Sequence, residues 1–180
     1  RKESSAASDV YKRQRRSFEH TNYAKDKTLA GNTHKAILNE NFRKALRAAF
    51  DVKAYLGVRM PKDLAVASMR NIDNFSAAGS TKDGKNYFDL VTETYNANTG
   101  EKRDLHDGQA PFYNKEEAMK YIEAAKKEGV QFPIHLDVMV NSTADTLVKQ
   151  AQSFKKSVAD NTENNIIIEL VLRDEDTINA

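Results

Sequence analysis

Four histidines, His20, His34, His106 and His135, are the side chains best suited to acid–base or metal chemistry here, and their spacing argues against both. No two stand at the i, i+4 separation that sets two imidazoles on one helical face, and there is no Cys to complete a mixed ligand set. His135 and Asp137 share one face of an alternating run and could form a dyad, but the wetter face of an amphipathic strand carries such residues without any function. Glu116 and Glu117 fall in the first turn of a helix, where the dipole favours ionised carboxylates over a poised acid–base pair. Gly79, Gly84 and Gly100 are isolated, so no Gly-x-Gly phosphate cradle is present. The expectation is a protein that is not an enzyme and that uses no metal or other cofactor.

The elements that would position a binding surface lie from Glu128 to Leu172. Phe132, Ile134, Leu136, Val138 and Val140 alternate with His135, Asp137 and Met139, the period of a strand with one buried face. Thr143 or Asp145 can cap a helix whose stripe is Leu147, Val148, Ala151, Phe154, Lys155 and Val158. Ile166 to Leu172 is a short, β-branched apolar run of the kind covered on both faces. Two such strands joined by a helix pair in parallel. In open parallel sheets ligands sit beyond the carboxyl ends of the strands, which selects Asn141, Ser142, Thr143 and Asp145 after the first strand and Arg173 after the second. Backbone groups and small polar side chains at such an edge can hydrogen-bond the main chain of an extended peptide. Asn141-Ser142-Thr143 also fits a glycosylation sequon, although a strand-to-helix turn calls for the same residues. Arg173 to Asp176 would cap a following helix.

Upstream, His20 to His34 reads as a loop, and Asn39 caps a helix over Glu40 to Phe50 with Phe42, Ala45, Leu46, Ala49 and Phe50 on its apolar face. A shorter helix over Lys53 to Arg59 stops before Pro61. From Arg70 onward the chain is rich in Asn, Asp, Gly and Thr, so residues 70–109 read as a long loop excursion with one amphipathic possibility at Tyr87 to Tyr95. Asn114, with Glu117 three residues on, opens a helix striped by Ala118, Tyr121, Ile122 and Ala125 and closed by Gly129.

Three segments carry a family resemblance. ILNENFRKALRAAFD (Ile37 to Asp51), YNKEEAMKYIEAAKKEGVQFPIHLDV (Tyr113 to Val138) and VKQAQSFKKSV (Val148 to Val158) resemble, in order and spacing, the solute-binding lipoproteins of oligopeptide importers of the ATP-binding-cassette type, in their streptococcal and lactobacillar form. The resemblance implies an α/β fold, an incomplete periplasmic-binding-protein-like lobe with a parallel strand–helix–strand unit. Residues 16–180 would be part of the C-terminal lobe. It implies a protein that encloses oligopeptides between two lobes and delivers them to a membrane permease from the extracellular face of the cell membrane, held there by a lipid anchor upstream of Arg1. The acidic partner of the peptide's α-amino group would lie beyond Ala180. A different class, a surface adhesion or protein-interaction module, would use the same lobe to bind another protein.

Composition bounds these readings. The 180 residues are 39% hydrophobic and 30% charged, with a mean hydropathy of −0.71, wet for a compact domain of this length. The net charge of +2 is unevenly spread: residues 1–30 hold eight basic and four acidic side chains, and the rest is slightly acidic. Solvated basic tails are far commoner than specific nucleic-acid binders, and no nucleic acid is expected as a partner. Residues 1–15, RKESSAASDVYKRQR, have no periodicity and resemble an adapter translated in frame; they are expected to be a non-native, disordered leader. No apolar run approaches the ~18 residues needed to span a bilayer.

Overall fold

The computed structural model describes residues 26–61, 63–65, 81–105 and 111–174. The leader 1–15, His20, His106 and the acidic Glu175 and Asp176 lie outside the described residues. The chain forms two compact units, one built from the residues up to Phe50 and from Asn114 onward, the other from Asp51–Tyr113.

In the first unit, helix α1 (Lys27–Leu38) begins at Asp26, whose carboxylate accepts from the amides of Thr28 at 2.8 Å and Leu29 at 3.1 Å. From Lys27 onward this corrects the loop expected over His20 to His34; residues 20–25 lie outside the described residues. The helix has no broad apolar stripe to announce it; small residues, Thr33 and Ala36, fill its buried side, and the Thr33 hydroxyl donates to the His135 carbonyl at 3.2 Å. Asn39 ends α1 and caps α2 (Glu40–Ala49), accepting from the Phe42 amide at 2.8 Å. Phe42, Ala45, Ala48 and Ala49 of α2 are buried, and the alanines let it pack closely along α5 (Lys115–Lys127), which contributes Ala118, Ile122 and Ala125, all fully buried. Asn114 caps α5 by accepting from the Glu117 amide at 3.0 Å. The helix closes in a Schellman arrangement: the Gly129 amide donates to Lys126, the Val130 amide to Ala125, and Gly129 takes the φ of +89° that such a turn requires.

Strand β1 (Ile134–Asn141) starts two residues later than the alternation suggests, because Pro133 has no N–H to give a ladder. Phe132 packs against Phe42 instead, ring centroids 6.2 Å apart. Helix α6 (Asp145–Asn161) follows, and then β2 (Ile166–Arg173), which pairs with β1 in parallel from Ile134↔Ile166 to Asn141↔Arg173. Buried Thr162 joins α6 to β2: its hydroxyl donates to the Val158 carbonyl at 2.7 Å and accepts from the Ile166 amide at 3.1 Å. Ile134, Ile166 and Ile168 are buried in one cluster with Phe42, Ala45, Ala49, Ile122 and Val158. The helix stripe is rotated from the one expected. Gln150, Ala151, Ser157 and Val158 are its buried residues, Leu147 is 47% exposed, and Phe154 is half-buried with its ring edge-on to Phe50 at 4.9 Å. Strand β2 is only partly covered, since Val171 is buried but Leu172 is 44% exposed.

In the second unit, Asp51 caps the short helix α3 (Val52–Gly57), accepting from the Ala54 amide at 2.8 Å. Residues 70–109 are not all loop: helix α4 (Tyr87–Thr99) runs a turn beyond the amphipathic possibility at Tyr87 to Tyr95. Asn86 caps it and Gly100, at φ +72°, ends it. Its Asn and Thr content weakens the helical signal, because these residues are poor helix formers unless their side chains are engaged. Here the Asn96 amide group pairs with the main chain of Arg103, donating to its carbonyl at 2.8 Å and accepting from its N–H at 2.9 Å. Arg103 in turn pairs with Glu101, lies over the Phe112 ring and donates to the Pro111 carbonyl. Nearby, Lys85 bonds Glu93, which holds its ammonium pKa above the usual lysine value.

Candidate functional site

The two strands end side by side, and their register brings Asn141 opposite Arg173. The Ser142 amide donates to the Arg173 carbonyl at 2.8 Å, carrying the ladder one residue past β1. The chain then turns through Asn141, whose side-chain oxygen accepts from both the Thr143 amide at 2.9 Å and the Thr143 hydroxyl at 2.8 Å. This Asx turn leads into α6, which starts after Ala144 with no side-chain cap, so neither Thr143 nor Asp145 plays the capping role expected of it. Asp145 lies in the first turn of α6 and pairs with Lys149 at 2.6 Å, both side chains being exposed, an arrangement that contributes little to stability. The Arg173 guanidinium folds back onto the Leu172 carbonyl at 2.9 Å.

All five residues selected from the sequence therefore meet at one end of the sheet. Their chemistry is narrower than the residue types suggest. Asn141, Thr143, Asp145 and Arg173 are each engaged in local hydrogen bonds and the Ser142 and Thr143 amides are already donated within the turn, so what the exposed turn presents is the small hydroxyls of Ser142 and Thr143. Such an edge can recognise polar main chain. Among the described residues it holds no arrangement of acid, base and nucleophile.

A second polar cluster lies on the sheet face away from the Ile cluster. His135 Nδ1 is 3.0 Å from Glu169 Oε1, the other oxygen of Glu169 is 3.6 Å from Lys155 Nζ, and Asp137 stands opposite Glu169 in the register. Two like charges on facing strand positions repel, and the Lys155 ammonium beside Glu169 offsets that. Glu169 was not singled out from the sequence, although a lone acid in the run IIIELVL was the available signal. Lys155, expected only as a break in an apolar stripe, reaches this carboxylate. Among the described residues no group of three or more His, Asp or Glu could hold a metal, and no helix is long and apolar enough to cross a membrane.

No protein-family model matches the chain. Curated proteins do. The oligopeptide-binding protein SarA of Streptococcus gordonii is 35% identical over 176 residues, covering 92% of this chain and 26% of that protein. AliA of Streptococcus pneumoniae is 37% identical over 175 residues, with the same coverage of each, and AmiA of the same species is 37% identical over 153 residues, 80% of this chain and 22% of that protein. The chain is homologous to a segment of the streptococcal oligopeptide-binding proteins. It spans about a quarter of their length. The segments that carried the resemblance in the sequence correspond to α2, α5 with the start of β1, and α6. Those elements build the buried cluster and hold the strand ends in place.

Proposed function

We propose that this chain is part of the substrate-binding component of an ATP-binding-cassette importer, a component that captures oligopeptides at the extracellular face of the membrane and passes them to a permease. It acts by binding, not by catalysis. The protein is held at the surface by a lipid anchor, and this segment forms part of its C-terminal, periplasmic-binding-protein-like lobe. The observation that carries the reading is identity of 34–37% to proteins named for oligopeptide binding, over 80–92% of the chain. The strand-end edge supports it, because the exposed small hydroxyls of Ser142 and Thr143 suit a ligand recognised by its backbone whatever its side chains.

The test is a graft. Replacing the corresponding quarter of SarA by this chain should give a folded protein that binds a mixed peptide library within about tenfold of SarA, a difference of ~1.4 kcal/mol. A chimera with native circular dichroism and no peptide binding by calorimetry would overturn the proposal. Ser142 and Thr143 replaced together by Ala in the graft should weaken binding if this edge contributes.

A further inference from the structure

The last three carbonyls of α2 each accept from a different donor. Arg47 receives the Phe50 amide at 3.4 Å, Ala48 the Asn114 amide at 2.9 Å, and Ala49 the Asn161 side-chain amide at 3.0 Å. The end of a helix leaves such groups without intrahelical partners, so they must be satisfied from outside. Here one of them does a second thing. The bond from Asn114 to Ala48 brings together the point where the chain leaves the first unit, at Phe50, and the point where it returns, at Asn114.

Both crossings coincide with helix caps: Asp51 opens α3 and Asn114 opens α5. The buried cluster of the first unit is drawn from both sides of the gap, with Ala36, Phe42, Ala45, Ala48 and Ala49 before it and Ala118 to Ile168 after it. Among the described residues of 51–113, α4 and its return carry local bonds: Lys85 to Glu93, Tyr95 to Glu101, and Asn96 to Arg103. We infer that Asp51–Tyr113 is an insertion whose points of departure and return are held together within the first unit by the bond from Asn114 to Ala48, and that this unit folds without an intact insertion. The consequence for function is that the strand-end edge at Asn141 to Asp145 and Arg173 does not depend on the continuity of 51–113. Loop closure explains how this is tolerated, since its entropic cost rises only slowly with the length inserted.

The test uses the whole chain. A protease recognition sequence is inserted after Asp83, in the exposed turn before α4, and the folded protein is cut there. The two pieces should co-elute, and amide exchange in β1 and β2 should stay within about twofold of the uncut chain. In a second variant, residues 51–113 are replaced by a linker of about four Gly and Ser residues, ample reach at ~3.5 Å per residue for ends that close together. Strand protection retained in either variant supports the inference. Separation of the cut pieces together with lost protection in the linker variant would overturn it.

Discussion

Helices α4 and α5 are alike on paper. Each has thirteen residues, each is opened by an Asn whose side chain accepts from the third residue on, and each is followed by a Gly at positive φ. Their surroundings differ. α5 sets Ala118, Ile122 and Ala125 at helical spacing, all fully buried, whereas none of the described side chains of α4 is fully buried and Tyr87 is 48% exposed. Equal caps therefore mark two equally clear boundaries, but only one helix is anchored by burial. Capping contributes ~1 kcal/mol and a buried aliphatic side chain several times that. Two helices with the same ends can thus differ greatly in how firmly they are held.

The sharpest way to break this comparison is to remove the anchor. Ile122→Ala in α5 should destabilise the first unit by ~2–5 kcal/mol, whereas Leu90→Ala in α4, a half-buried position, should cost under ~1.5 kcal/mol. Denaturant midpoints read by exchange of β1 and α4 amides separately would show it, and equal shifts would mean that α4 is packed as firmly as α5. Phe154→Ala comes next. The ring is half-buried against Phe50 and the Ile cluster, so the loss should be ~2–3 kcal/mol, below the range for a fully enclosed Phe.

Smaller effects sharpen the comparison at the helix ends. Gly129→Ala places a Cβ at φ +89°, where nothing lies within 4 Å, so the cost is backbone strain alone, ~1–2 kcal/mol. Gly100→Ala should cost a similar amount locally, yet appear mainly as faster exchange in the last turn of α4. Asn114→Ala and Asn86→Ala each remove one capping bond, worth ~0.5–2 kcal/mol; the first should lower the global midpoint and the second should fray α4 alone. Lys155→Ala should be the mildest, a few tenths of a kcal/mol, because its ion pair with Glu169 is long and partly solvated. A loss above ~1 kcal/mol there would show that Lys155 offsets the Asp137–Glu169 repulsion more strongly than its exposure suggests.

What the chain reveals by itself follows from what is local or periodic. The parallel strand–helix–strand unit, the Asn39 and Asn114 caps and the Gly129 stop were all readable, because capping and amphipathic alternation are written within a few residues of where they act. The strand-end edge was readable for the same reason. Two strands in parallel must present their carboxyl ends together, and Asn141 and Arg173 do meet there. The helix over Lys27–Leu38 was not readable, since its buried side is made of Thr33 and Ala36 and its placement depends on a hydrogen bond to His135, 102 residues away. Helix α4 showed only as an amphipathic possibility at Tyr87 to Tyr95, because its polar residues serve a contact to Arg103 that propensity cannot foresee. The cap of α6 and the rotation of its stripe were also settled in space, where Asn141 took Thr143 into a turn and Phe50 met Phe154 edge-on. Side-chain roles at the site divide along the same line. Sequence determined which residues arrive at the strand ends, and tertiary structure decided which of them are engaged locally, because a hydrogen bond depends on distances of about 3 Å that only the folded chain sets.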